Sequence, residues 1–254
     1  MSDFDRNIAS RGSYAGRAVA VDAALRAHMI RVYNYMAMAV ALTGVIAWFT
    51  FQAAVVTDAS GAIVGLTSFG QMIFNPIVTL VLLLGTLGLV FFISFRIDRL
   101  EYTTAWTLFM VYAALLGLAL SSILMVYTGA SVARVFFISA ATFGALSLWG
   151  YTTQRDLSAF GTFLFMGLIG IIIASLVNIF LRSDALTWMI SVVGVGVFAG
   201  LTAWDTQRLK NEYIYGGMDG ETTERSAILG ALSLYLNFIN LFTLLLQLLG
   251  QREE

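Results

Sequence analysis

The chain reads as an all-α, polytopic membrane protein with seven transmembrane helices. Three observations predict this class. Seven stretches carry no Asp, Glu, Lys or Arg: 32–57, 59–95, 102–133, 135–154, 157–181, 185–204 and 226–251. Each is long enough for the roughly 20 apolar residues of a membrane-crossing helix. Only 11% of the residues are charged and 59% are hydrophobic, whereas soluble domains carry about 25% charged residues. Finally, arginine and lysine collect in alternate connections, as they do in membrane proteins that keep positive loops inside.

Lipid offers no hydrogen bonds to the backbone, so each uncharged stretch is expected to be helical. Residues 1–27 are polar, with Arg6, Arg11, Arg17 and Arg26 spread among small residues. A signal peptide would need a short apolar core here, and the first apolar run starts only at Val32. The segment is expected to be a mobile cytoplasmic tail; an amphipathic helix from Gly16 to Arg31 is the other reading. The transmembrane domain is then 28–250, and 251–254 is a short C-terminal end. The first span is expected at 29–51, followed by an outside loop over 52–71 rich in Ser, Thr and Gly. The second covers 73–95 and places Pro76 in its first turn, where a missing N–H costs least. The next four are expected at 103–126, 132–152, 159–181 and 186–210, and the last at 227–249. Gly194, Gly196 and Gly200 give the sixth span a narrow face, with Gly196 and Gly200 spaced as a GxxxG pair that suits close helix packing.

With the N-terminus inside, the cytoplasmic segments hold eleven Arg and Lys residues. The opposite face holds three: Arg134, Arg182 and Arg252. The reverse orientation inverts that ratio, so the C-terminus is expected outside the cytoplasm. Trp48, Trp106, Trp149, Trp188 and Trp204 fit aromatic belts.

Composition also removes function classes. A net charge of -1 suggests no nucleic-acid partner. There is no cysteine, and His28 is the sole histidine, so thiolate and multi-histidine metal sites are excluded. Lys210, the sole lysine, lies in an expected loop, which argues against a retinal Schiff base. No HExxH motif is present. An aspartyl protease needs two acids, and one is buried here. The chain is expected not to be an enzyme and to need no cofactor.

Ionisable groups inside a membrane are expensive and mark function by default. Asp205 is the strongest case, with an interfacial aspartate as its bland alternative. The last span carries a polar stripe, Ser233, Asn237, Asn240 and Gln247, spaced to share one helix face. It lines a pathway or glues the helix into the bundle by hydrogen bonds. Arg96 and Arg99, at the end of the second span, snorkel to lipid phosphates or turn inward toward Asp205.

The stretch Val197-Phe198-Ala199-Gly200-Leu201-Thr202-Ala203-Trp204-Asp205-Thr206-Gln207-Arg208-Leu209-Lys210 resembles a signature of the Bax inhibitor-1 (transmembrane BAX inhibitor motif) family. Ile228-Leu229-Gly230-Ala231-Leu232-Ser233-Leu234-Tyr235-Leu236-Asn237-Phe238-Ile239-Asn240-Leu241-Phe242 resembles its last helix. Gly150-Tyr151-Thr152-Thr153-Gln154-Arg155-Asp156-Leu157-Ser158 looks like the bacterial inner-membrane branch. The likeness runs from about Arg26 to Gly250.

The resemblance implies a central C-terminal helix wrapped by the other six. It implies a calcium leak that responds to pH in some members, with a role in ion homeostasis and stress. Two aspartates on the last two helices share protons there, and an arginine of the second helix latches onto them. Asp205 matches the first aspartate, and Arg99, or else Arg96, lies in the latch region. The second aspartate is replaced by Asn237. Two close carboxylates titrate in two coupled steps; an Asp–Asn pair has one charge to lose. The Asn237 amide can still donate to the Asp205 carboxylate. Calcium prefers several oxygen ligands with net negative charge, so Asp205 is expected to hold it weakly. The alternative implied by the resemblance is modulation of a membrane-bound AAA+ quality-control protease through protein contacts, using the N-terminal tail and the loop 206–226.

Overall fold

The computed structural model describes residues 3–59, 63–216 and 220–252, with side chains described from residue 22 onward except 221. Nine α-helices are described: α1 (Asp3–Ala54), α2 (Ser68–Ile73), α3 (Pro76–Arg96), α4 (Tyr102–Leu120), α5 (Ile123–Val126), α6 (Gly129–Thr152), α7 (Ser158–Leu181), α8 (Asp184–Tyr215) and α9 (Gly220–Leu249). A 3-10 turn, Ile97–Arg99, follows α3, and two short strands, β1 (Val55–Thr57) and β2 (Ile63–Leu66), follow α1. Seven segments are long and apolar enough to cross a membrane: Asp22–Ala54, Pro76–Arg99, Tyr102–Val126, Gly129–Thr152, Ser158–Leu181, Asp184–Tyr215 and Thr222–Leu249. The seven expected spans are all present.

Their ends differ from the expected ones, for local reasons. α1 begins at Asp3 rather than near 29, as no proline interrupts it. Its buried positions Leu25, Met29, Val32, Met36, Ala39, Thr43, Ala47, Thr50 and Ala54 recur at three or four residues and form one stripe. The expected loop 52–71 contains an antiparallel hairpin, pairing Val55 with Leu66 and Val56 with Gly65. The β-branched Val55, Val56, Thr57, Ile63 and Val64 suit that conformation. Thr67 then caps α2 by accepting from the Gly70 N–H at 3.0 Å. Asn75 caps α3, and Pro76 occupies its first turn as expected. The third span is interrupted between α4 and α5, where the Ser121 and Ser122 hydroxyls donate back to the carbonyls of Leu118 and Ala119. α8 and α9 extend past the expected limits 210 and 227, so most of the expected loop 206–226 is helical. At about 1.5 Å per residue, α8 is about 48 Å long, well beyond an about 30 Å hydrocarbon core.

α9 is the most buried span: 72% of its apolar stretch is buried, against 33% or less in the others. It packs chiefly on α8, α1, α6 and α4. α3 lies mainly against α4, and α7 mainly against α8. The main enclosure of α9 is thus four helices, narrower than the six expected. Tyr235 anchors it: the ring meets Phe109 and Tyr112 edge-on at 5.8 and 5.9 Å, and its hydroxyl lies 2.7 Å from Thr43 Oγ1. Phe238 packs between Phe136 and Phe143, each at 5.6 Å. The outward faces of α3 and α7 expose large apolar residues such as Ile77, Phe95, Phe163 and Phe180. An apolar exterior of this extent is what a lipid solvent selects. Beyond α9, Gln251 pairs through its backbone with Thr128 and Ser131, and Arg252 bridges to Tyr127.

Candidate functional site

The site forms where α8 and α9 run antiparallel. On α8, Phe198, Leu201, Thr202, Asp205 and Leu209 are buried at helical spacing. On α9, Gly230 leaves room for the Leu209 side chain. This seam brings Asp205 and Asn237 together: the Asn237 Nδ2 amide donates to Asp205 Oδ2 at 2.7 Å. The other carboxylate oxygen, Oδ1, accepts from Arg208 Nη2 at 2.7 Å. Asp205 is 6% exposed, the only acid among the buried described residues.

The expected latch is not made in the structure. Arg96 and Arg99 are exposed at the end of α3 and its following turn, and neither pairs with Asp205. The cross-contact near that turn is a different one, with Arg225 Nη1 donating to the Asp98 carbonyl at 2.8 Å. Arg208 takes the place at Asp205 because residues three apart on a helix share a face. It stacks over Trp204 at 5.1 Å, reaches Ser233 Oγ at 3.4 Å, and lies 3.7 Å from Glu212. The Asp-x-x-Arg spacing was visible in the sequence.

The polar stripe of α9 divides. Ser233 and Asn237 face this site, while Gln247 accepts from Ser191 on α8 at 2.8 Å. Asn240 donates to the Leu236 carbonyl of its own helix. The amides at 240 and 247 therefore make packing bonds. The glycines of α8 also part company: Gly194 faces Leu244 of α9, Gly200 faces Leu164 of α7, and Gly196 faces open space. Gly196 and Gly200 are not one close-packed pair.

The rest of the motif ties helices together through contacts that its spacing does not reveal. Gln207 accepts from the Leu157 N–H at 2.9 Å and donates to the Arg155 carbonyl at 2.8 Å, clamping the connection from α6 to α7. Lys210 donates to the Tyr151 carbonyl at 2.9 Å. Trp204 packs where Gly161 of α7 leaves room. Thr206 touches Tyr33 of α1 at 3.4 Å and Ser147 of α6 at 3.5 Å. Residues 204–210 thus tie α8 to α1, α6, α7 and α9. In the clamped connection, Asp156 accepts from Ser158, and these hydrogen bonds hold its carboxyl below the usual range. His28 is buried and stacks on Tyr213 at 4.7 Å.

Chemically, the site presents one carboxylate already satisfied by an amide and a guanidinium. Among the described residues no three His, Cys, Asp or Glu converge. A calcium ion, which takes six to eight oxygens, would find a single buried carboxylate here.

Similarity to known proteins is extensive. The family model described as inhibitor of apoptosis-promoting Bax1 matches residues 25–254. The inner membrane protein YbhL of Escherichia coli is 46% identical over 233 residues, covering 91% of this chain and 94% of that one. An uncharacterised protein of Rickettsia prowazekii is 46% identical over 234 residues, covering 92% and 93%. An uncharacterised protein of Deinococcus radiodurans is 42% identical over 229 residues, covering 90% and 92%. The matched region takes in six spans whole, nearly all of the first, and the contact between Asp205 and Asn237, and the chain belongs to the Bax inhibitor-1 family of integral membrane proteins.

Proposed function

We propose that this protein is a pH-sensitive calcium (cation) leak of the inner membrane, gated at Asp205 and Asn237 and held shut by Arg208. The carrying observation is the Asp205 carboxylate, divided between an amide of α9 and a guanidinium of α8 at 2.7 Å each. Charge-assisted bonds of this kind are strong only while the carboxylate is ionised. A proton on Asp205 cancels the charge, weakens both bonds, and loosens α8 from α9. Arg208, whose side chain is 36% exposed, then turns to water, and the cation that repelled a passing calcium ion leaves the path. The inner-membrane placement follows the name of the Escherichia coli relative.

The test is calcium flux in proteoliposomes across a pH series. The natural chain should leak with a pH-dependent rate, and Asp205→Ala should lose that dependence. Asn237→Asp, which adds a second titrating acid, should alter the profile. Identical profiles for the natural chain and Asp205→Ala would overturn the reading.

One observation favours a second reading, modulation of a membrane-bound AAA+ protease. The last turn of α8 exposes Ile214 and leaves Tyr215 83% exposed, a surface suited to a protein contact. In that reading activity survives Asp205→Asn and fails on removal of residues 1–20.

A further inference from the structure

One flank of the bundle is open. α1 and α6 border it, each packed on α9 rather than on one another. Between them lie two cavities of about 310 and 550 Å3, and Phe238 of α9 forms part of the wall of both. They make one groove, whose α1 wall runs from Arg26 to Trp48. At about 1.5 Å per residue this is about 33 Å, close to the about 30 Å thickness of bilayer hydrocarbon.

Most of the lining is apolar, including Met29, Met36, Val132, Phe143, Ile239 and Phe242. Water finds too few partners in such a groove, and a void would forfeit dispersion contacts. Lipid is the surrounding solvent, so an acyl chain is the natural filling. The one charged lining residue, Arg26, and most of the polar ones lie at one end. Arg26 and Tyr33 on α1 stand across from Ser147 and Tyr151 on α6. Lys210 stands behind this wall, 5.5 Å from the Tyr151 ring, with one of its three donors on the Tyr151 carbonyl. Arg26 is exposed and makes no ion pair among the described residues. The charge at this mouth is therefore positive and calls for an anion. Basic pockets between membrane helices suit anionic head groups.

We propose that this groove binds an anionic phospholipid, its phosphate held by Arg26 and one acyl chain lying over Phe238 between α1 and α6. Occupancy would brace α9 at Phe238, the chain neighbour of Asn237.

The experiment is native mass spectrometry of the full chain released from bilayers of phosphatidylglycerol or phosphatidylcholine with identical acyl chains. Four proteins are compared: the natural chain, Arg26→Ala, Gly144→Trp and Gly85→Trp. A Cβ on Gly144 or Gly85 meets nothing within 4 Å; Gly144 lines the groove, and Gly85 lies on α3 away from it. The natural chain and Gly85→Trp should retain phosphatidylglycerol in preference to phosphatidylcholine. Arg26→Ala should weaken that retention about fivefold, the usual effect of one basic side chain at a membrane surface. Gly144→Trp should retain neither. Equal retention by the natural chain and Gly144→Trp, or no head-group preference, would overturn the proposal. A lipid-free dimer that Gly144→Trp dissociates would overturn it in favour of a second copy. Arg26→Ala alters an exposed side chain, so it decides the matter even if the bulky variant fails to fold.

Discussion

Asp205 shows how one buried charge is made tolerable. A carboxylate inside a bundle is costly unless its oxygens are met, and here Asn237 and Arg208 meet one each. Removing the guanidinium alone leaves that charge underpaired. Arg208→Met should therefore lower stability by about 2 kcal/mol, less than the ~3–5 kcal/mol of a fully buried pair because the arginine is partly exposed. Adding Asp205→Asn to Arg208→Met should recover part of the loss. Melting temperatures of the two single variants and the double variant in detergent check this; strict additivity would show that the pair is not coupled. The sequence announced Asp205 and Asn237 but not the arginine that pairs with Asp205. Arg99, or else Arg96, was the expected partner, and which arginine reaches a carboxylate depends on helix rotation that spacing between separate helices does not encode.

At the scale of elements, the seams of α8 depend on missing side chains. A Cβ at Gly150 would collide with the backbone of Ala203, and one at Gly161 with the Trp204 ring. Gly150→Ala and Gly161→Ala should each cost about 1–3 kcal/mol by overpacking. Gly196→Ala, which meets open space, should leave the melting temperature unchanged or slightly raised, since alanine favours the helix. A loss at Gly196 equal to that at Gly150 would contradict this arrangement. The GxxxG spacing pointed to Gly196 and Gly200, yet the critical glycines of this seam lie on the partner helices α6 and α7. Close approach is a property of two surfaces, and a one-helix motif describes only one of them.

For the whole molecule, the alternation of seven spans puts residue 216 and residue 252 at opposite ends of the bundle. The bias of positive charge predicts that the first lies in the cytoplasm. The chain has no cysteine, so single replacements give a clean readout. In intact cells a membrane-impermeant thiol reagent reaching the periplasm should label Arg252→Cys but leave Gly216→Cys untouched until the inner membrane is opened. The opposite pattern would invert the topology.

The sequence by itself determined that the chain spans a membrane seven times, because lipid tolerates neither charge nor unpaired backbone and writes both prohibitions into composition. It also singled out Asp205 and Asn237, since polar side chains in apolar runs are conspicuous. Only the tertiary structure decided that Arg208 pairs with Asp205, that Gln207 and Lys210 clamp the connection at 151–157, and that α1 and α6 stand apart over Phe238. These features arise from how helix faces are rotated and spaced against one another. Many rotations bury an apolar helix equally well, so packing rather than hydrophobicity selects among them.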